Sequence, residues 1–396
     1  MSPRHQTVVG RRTVLRGMSL SALGLAGGSA LAGCGIPPAK QSAGSCVSTD
    51  LSAEQKALMF SNWPSYIDED EENSKAPPPT LAAFEEQTGI KVTYTADVND
   101  NAEFYAKVRD QLGTCQPCGR DLFALTDWMA ARMIGLGWIQ KLDHAKIPNV
   151  DANLLKQLRA PSWDPNRDHS VPWQTGLTGI AYNAKVTSEV GSFEDLLSRE
   201  DLKGRITLLS EMPDTMSFML RLVGANPSNF TDAEWSKALE RLEASVASGQ
   251  VRRFTGNDYV QDLNAGNIAA CEAWSGDVIA MQADNADIKF VVPEEGLALW
   301  SDNLMVPNKA SHKANAEALM NYYYEPEVAA TLAAWVNYIC PVDGAQKAME
   351  AVDPELVEDP LIFPDQEMLS KTFAFMPLDT NQAKLYETDF NLAIGG

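Results

Sequence analysis

The sequence predicts two α/β lobes facing each other across a cleft. Three observations lead there. About 360 residues follow a leader of 33, more than one hydrophobic core accommodates and enough for two. Strand-like and helix-like patterns alternate along that length, as they do in sheets covered by helices. Aromatic and acidic side chains recur at the expected strand ends and loops, where open α/β sheets hold ligands.

The leader is read first. Gly10-Arg11-Arg12-Thr13-Val14-Leu15-Arg16 precedes an uncharged run from Met18 to Gly33, rich in Leu, Ala, Gly and Ser. A basic region, a short apolar region and small residues make a secretory signal. The run is too short and too glycine-rich to span a membrane. The adjacent arginines resemble a twin-arginine export signal. Leu31-Ala32-Gly33-Cys34 resembles a lipobox, which implies that Cys34 becomes the lipidated first residue of an exported, membrane-anchored protein. The Pro-, Gly-, Ser- and Ala-rich stretch beyond it reads as a flexible tether, assigned to 34–54.

The first lobe opens with a strand at Met59-Phe60-Ser61-Asn62-Trp63. A helix from Pro77 to Gln87 is stopped by Gly89, and Ile90 to Tyr94 alternates as a strand. Ala102 to Leu112 places Phe104, Val108 and Leu112 on one helical face. The apolar run Asp121 to Leu125 reads as a buried parallel strand. The second lobe repeats the alternation. Strands are expected at Ile180 to Asn183, Arg205 to Leu209, Ile268 to Trp274 and Ile288 to Val292. Helices are expected after an N-cap at Ser192, from Asp214 to Val223 and from Thr231 to Ser248. Two more, Lys313 to Tyr324 and Pro326 to Val336, follow.

The net charge is −21. Without residues 1–33, which hold four arginines and no acid, 28 basic side chains stand against 53 acidic ones, a net of −25. Such a surplus repels nucleic acid and favours cations. Beyond Cys34, Cys115-Gln-Pro-Cys118 is a CxxC. With no second CxxC, and with His5, His144, His169 and His312 scattered, a small loop-closing disulfide is expected there and no metal site. Cys271 and Cys340 either pair or sit free in the core, and Cys46 is left over in the tether. No GxSxG, HExxH, Walker or GxGxxG motif is present. No catalytic residue and no cofactor is assigned, with a secreted two-carboxylate hydrolase as the remote alternative.

The chemistry-bearing residues share a character. Trp63 and Tyr66 follow the first strand, and Trp128 follows the Asp121 run. Glu211 and Asp214 open a helix. Trp274 and Asp277 end a strand, and Trp300 and Asp302 form a further pair. Aromatic faces attract cations, and carboxylates form charge-assisted bonds to ammonium groups. An anion site would use Arg, Lys and helix N-termini instead. Glu211 and Asp214 also suit helix capping, and Asp277 suits a turn. Glu272 alternates onto the same side as Trp274 and is either a pocket carboxylate or the partner of a buried group.

From about Met59 to Phe375 these segments resemble the spermidine/putrescine-binding proteins of polyamine ABC importers. The resemblance is carried by Asn62-Trp63-Pro64-Ser65-Tyr66, Thr126-Asp127-Trp128, Ser170-Val171-Pro172-Trp173 and Trp274-Ser275-Gly276-Asp277. It is carried also by Trp300-Ser301-Asp302, leading into Leu304-Met305-Val306-Pro307. It implies a two-lobed periplasmic-binding-protein fold of type II, with lobe 1 at 55–177 plus 303–353 and lobe 2 at 178–302 plus 354–396. It implies a monomer that closes on a polyamine and delivers it to separate permease and ATPase subunits. The ligand contacts would be Trp63, Tyr66, Thr126, Trp128, Glu211, Asp214, Trp274, Asp277, Trp300, Asp302 and Tyr338. Two positions depart from the family: Pro64 replaces a hydroxyl residue, and Phe373-Ala374-Phe375 stands where a late Gln is usual. The alternative is a protein or sensor of the same fold for another small or cationic solute.

Overall fold

Ten strands form one mixed sheet in a computed structural model that describes residues 46, 48–70, 73 and 76–395. The expected export signal and Cys34 lie outside the described residues. In chain order the strands are β1 (Ala57–Asn62), β2 (Lys91–Ala96), β3 (Leu122–Thr126), β4 (Val171–Asn183) and β5 (Ile206–Leu209). They continue as β6 (Val251–Thr255), β7 (Ala270–Trp274), β8 (Ile288–Val291), β9 (Leu297–Met305) and β10 (Thr372–Phe373). The order across the sheet is β2-β1-β3-β9-β4-β7-β5-β6, with β8 on β4 and β10 on β9.

This order explains the two lobes. At one side β1 pairs in parallel with β2 and β3, and at the other β5 pairs in parallel with β6 and β7. The centre is made by β4 and β9, which run antiparallel to each other and to their outer neighbours β7 and β3. Parallel strands need helical crossovers, and these pack against both sides of the central strands. One core gathers Phe60, Phe84, Phe104 and Phe123 with Leu319 and Leu332. The other gathers Phe193, Leu208, Phe218 and Trp235 with Tyr386 and Phe390 of the last helix, Thr380–Ile394.

Local signals set the helix starts. Asp100 accepts from the Glu103 N–H to begin helix Asn101–Gly113, and Ser192 accepts from the Asp195 N–H as expected. Thr231 and Glu234 close a reciprocal capping box ahead of helix Asp232–Ala247. The expected helices and strands appear with ends displaced by a few residues. The length of β4 and β9 did not show in the pattern. All of β4 except Tyr182 is buried, so its faces carry no alternation to read.

The expected Cys115–Cys118 bridge is replaced by Cys46–Cys115, with Cα atoms 5.8 Å apart. The cause is that the chain after Cys46 runs along the body. Ser48 Oγ accepts from the Lys309 N–H, and Leu51 N–H donates to the Ser311 carbonyl, which sets Cys46 beside Cys115. Cys118 is a half-buried free thiol, while Cys271 and Cys340 are buried and unpaired. Among the described residues no helix is long and apolar enough to cross a membrane.

Candidate functional site

A cavity of about 450 Å³ lies where β4 and β9 meet the ends of β1, β3 and β7. Of the residues singled out from sequence, Trp63, Tyr66, Thr126, Glu211, Asp214, Trp274, Asp277, Trp300, Asp302 and Tyr338 all line it. Trp128 does not. It lies on an adjoining cavity of about 420 Å³ with Ser217 and Phe375, beyond Trp300 and Asp214. The first turn of helix Asp127–Gly135 carries it there.

Each wall follows from local structure. Trp63 and Tyr66 stand in the turn after β1, where Ser65 takes a left-handed backbone (φ 53°). Glu211 is the N-cap of helix Met212–Leu222, and Asp214 is in its first turn. Asp277 sits not in a plain turn but in the first turn of helix Ser275–Asp284. Trp300 and Asp302 are not in a loop but in the middle of β9, opposite Gly176 and Gln174 of β4. Alternation along β9 brings both side chains to one face.

The aromatic side chains touch in series. Ring centroids are 6.5 Å apart for Trp63 and Trp274, 6.4 Å for Trp274 and Trp300, and 5.6 Å for Trp300 and Tyr338. Tyr338 and Tyr66 follow at 5.3 Å. Two glycines make room. A β-carbon at Gly176 would come within 2.3 Å of the Trp300 ring, and one at Gly276 within 2.4 Å of the Tyr338 ring. Gly176→Ala is therefore expected to push Trp300 out of place and to lower ligand affinity about tenfold, with the melting temperature reporting any loss of fold. An unchanged affinity would show that Trp300 is not held by this contact.

Four carboxylates share the cavity, each held differently. Asp302 Oδ1 accepts from Thr126 Oγ1 at 2.7 Å. Asp214 Oδ1 accepts from Thr178 Oγ1, and from Trp274 Nε1 at 3.3 Å. Trp300 Nε1 donates to the same Thr178 hydroxyl at 2.9 Å, so both indoles orient Asp214. Asp277 takes Tyr338 Oη on one oxygen (3.1 Å), and Asn257 Nδ2 (3.0 Å) and Tyr259 Oη (2.7 Å) on the other. Glu211 Oε1 accepts two hydrogen bonds from Asn101.

Burial raises the pKa of all four acids, because the charged forms lose water. Asp302 reaches about 7 despite Thr126 and Tyr66, and Asp214 about 6 despite Thr178 and Trp274. Asp277 rises too, held back by Tyr259, Asn257 and Tyr338. Glu211 rises well above the usual range, through burial and then the nearby charge of Asp100. Among the described residues, no Lys, Arg or His is on the cavity wall. Among the described residues no group of His, Cys, Asp and Glu is arranged to hold a metal ion. One buried wall atom, Trp63 Nε1, lacks a protein partner, as polar atoms at ligand sites often do.

Glu272 takes the second of its two expected roles. Fully buried, it accepts from the Leu209 N–H (2.9 Å) and Thr215 Oγ1 (2.7 Å) and tethers β7 to the end of β5, off the cavity wall. Asn257 on the wall and Tyr259 behind it were not singled out from sequence. Tyr259 Oη also accepts from the Trp274 N–H at 3.0 Å, which locks Trp274 and Asp277 into one unit. The available signal was the polar Thr255-Gly256-Asn257-Asp258 after β6, a strand hidden by its two arginines.

A family model described as bacterial extracellular solute-binding protein matches residues 80–364. The chain is 28% identical over 321 residues to the spermidine/putrescine-binding periplasmic protein of Salmonella typhimurium, covering 81% of this chain and 86% of that one. It is 29% identical over 349 residues to the putrescine-binding periplasmic protein PotF of Escherichia coli, with 83% and 89% covered. Among solved structures, a putative spermidine/putrescine ABC transporter from Listeria monocytogenes superposes with a TM-score of 0.74 at 26% identity. That match covers 86% of this chain and 99% of the other. These relatives bind solutes and are not enzymes. The shared fold, the cavity at its central strands and the family match establish that this chain belongs to the bacterial extracellular solute-binding proteins.

Proposed function

We propose that the protein is the substrate-binding component of an ABC importer for a polyamine. The observation that carries this reading is the composition of the cavity wall: three tryptophans, two tyrosines and four carboxylates, with no basic side chain. Aromatic faces attract ammonium groups by about 0.5–2 kcal/mol each and also pack on methylenes. Carboxylates accept charge-assisted hydrogen bonds from the amine ends. In Asp214 and Asp302 the side-chain donors Thr178, Trp274 and Thr126 all bond Oδ1, and the remaining acceptor sites of these carboxylates face an ammonium group. Two such acids suit the two ends of a diamine such as putrescine. A triamine such as spermidine would set its further nitrogen against Asp277. The names of the relatives support the same class of ligand.

The permease and ATPase that would receive the ligand are separate chains. The anchor would be lipid on Cys34, supported by the Leu31-Ala32-Gly33-Cys34 motif at the end of the export signal. The mechanism is capture: the lobes close over the amine, and the closed form docks on the permease.

The test is calorimetric titration of the soluble body with putrescine, cadaverine, spermidine and spermine at two salt concentrations. Saturable one-to-one binding of at least one amine is expected, weaker at the higher salt. No heat and no thermal shift with any of them would sink the polyamine reading.

A further inference from the structure

Glu211, like Asp277 with its Tyr338 partner, takes hydrogen bonds from across the cleft, and both of those to Glu211 come from one residue, Asn101. Its helix, Met212–Leu222, packs through Met216, Phe218 and Met219 in the second core. Its partner Asn101 opens helix Asn101–Gly113, which packs through Phe104, Val108 and Leu112 in the first core. The backbone N–H and Nδ2 of Asn101 both donate to Glu211 Oε1, at 2.9 and 3.0 Å. The second Nδ2 proton goes to Thr126 Oγ1 at 2.9 Å, and Asn101 Oδ1 accepts from the Thr126 N–H at 3.1 Å. The Thr126 hydroxyl passes its own proton to Asp302 Oδ1. Asn101, 1% exposed, thereby uses both Nδ2 protons and one Oδ1 lone pair. No other side chain offers one acceptor and two donors in this shape apart from the longer Gln.

We propose that Asn101 is a positioning residue that latches the closed cleft, holding Glu211 across it and orienting Asp302 through Thr126. This rests on the reading of the cavity as a polyamine site, and it gives Glu211 a different task from its neighbours. Glu211 serves closure, with its Oε1 held by the N–H groups at a helix start, while Asp214 and Asp302 serve the ligand. In the open cleft these N–H groups and the Glu211 carboxylate face water. On closing they meet each other, so closure buries no unmatched group at this edge. The relay couples the latch to Asp302, because Asn101 Nδ2 occupies a lone pair of the Thr126 hydroxyl and so favours the rotamer that points its proton at Asp302.

The experiment compares Asn101→Ala, Glu211→Ala and Glu211→Gln with the natural protein by stopped-flow and calorimetric binding of the amine that binds best. Small-angle scattering follows closure in parallel. Asn101→Ala is expected to lose about tenfold in affinity, mostly as faster dissociation, because a closed-state contact is removed. Glu211→Gln, which keeps an oxygen for both N–H groups, is expected to recover most of what Glu211→Ala loses. The double variant Asn101→Ala/Glu211→Ala should be no worse than the poorer single one. Losses that add, or a Glu211→Gln variant as weak as Glu211→Ala, would make Glu211 an ammonium partner and overturn the latch. If the natural protein binds no amine, the polyamine reading fails, and the latch is judged by scattering alone. Asn101→Ala should then be more open than the natural protein, and equal profiles would overturn it.

Discussion

Asp302→Asn is expected to weaken amine binding about 100-fold or more while leaving the ligand-free protein at least as stable. Asp302 lies in the central strand β9, paired in register with Thr126 of β3, and is 3% exposed. Closure strips water from its carboxylate, and the wall offers hydroxyl and aromatic groups but no cation. On the proposed reading, an ammonium group of the ligand supplies the missing countercharge. Removing one partner of a buried ion pair costs about 3–5 kcal/mol, and about 1.4 kcal/mol is a tenfold change in affinity. The amide keeps an oxygen for the Thr126 hydroxyl, so the strand contact survives. Because burial raises the folded-state pKa to about 7, an ionised Asp302 works against the closed ligand-free form above that pH, and the neutral amide does not. Calorimetry and a thermal melt at pH 8 check both halves. A folded variant within threefold of the natural affinity would remove Asp302 from the ligand contacts.

Affinity for the amine is expected to rise with pH by roughly 30-fold or more between pH 5.5 and 8 and then level off. The direction follows from the two acids left to the ligand. Both have folded-state values above the ordinary carboxylate range, Asp302 at about 7 and Asp214 at about 6. In the closed cavity they hold protons that a cation must displace, at a cost of about tenfold per pH unit below each value. An alkylammonium resembles lysine, with a pKa near 10.4, and stays charged throughout this window. The same shifts act on stability with the opposite sense. What these two groups contribute to the ligand-free fold is fully present below about pH 4 and is lost as pH rises through about 6 and then 7. Titrations in buffers of different ionisation enthalpy should show protons released near pH 6.5. A flat profile with no proton release would mean that both acids are ionised before the ligand arrives, and that burial on closure does not govern binding.

Periodicity and residue type were enough to read most of the lobes. The alternation at Ile90 to Tyr94, the Phe104, Val108 and Leu112 face and the cap at Ser192 are local signals. They reappear as β2, helix Asn101–Gly113 and a capped helix. The chemical character of the cavity was legible too, because a wall of tryptophans and acids is a matter of composition. Trp300 and Asp302 stood out by type alone, although their place in the middle of β9 did not.

Pairing between distant segments decided the rest. A strand buried on both faces, such as β4, shows no period, so its 13 residues and its role beside β9 appear only when the sheet is assembled. Cys115 has a neighbour three residues away in the chain, yet bonds Cys46 from 69 residues away, because the chain leading from Cys46 is pinned along Lys309 and Ser311. Alternation placed Glu272 with Trp274 correctly but could not say that Thr215 and the Leu209 N–H occupy that carboxylate. Nor could the order of residues show that Asn101 stands between Glu211 and Thr126. Local sequence sets which way a side chain points along its own element, and only the packing of one element on another sets what it meets there.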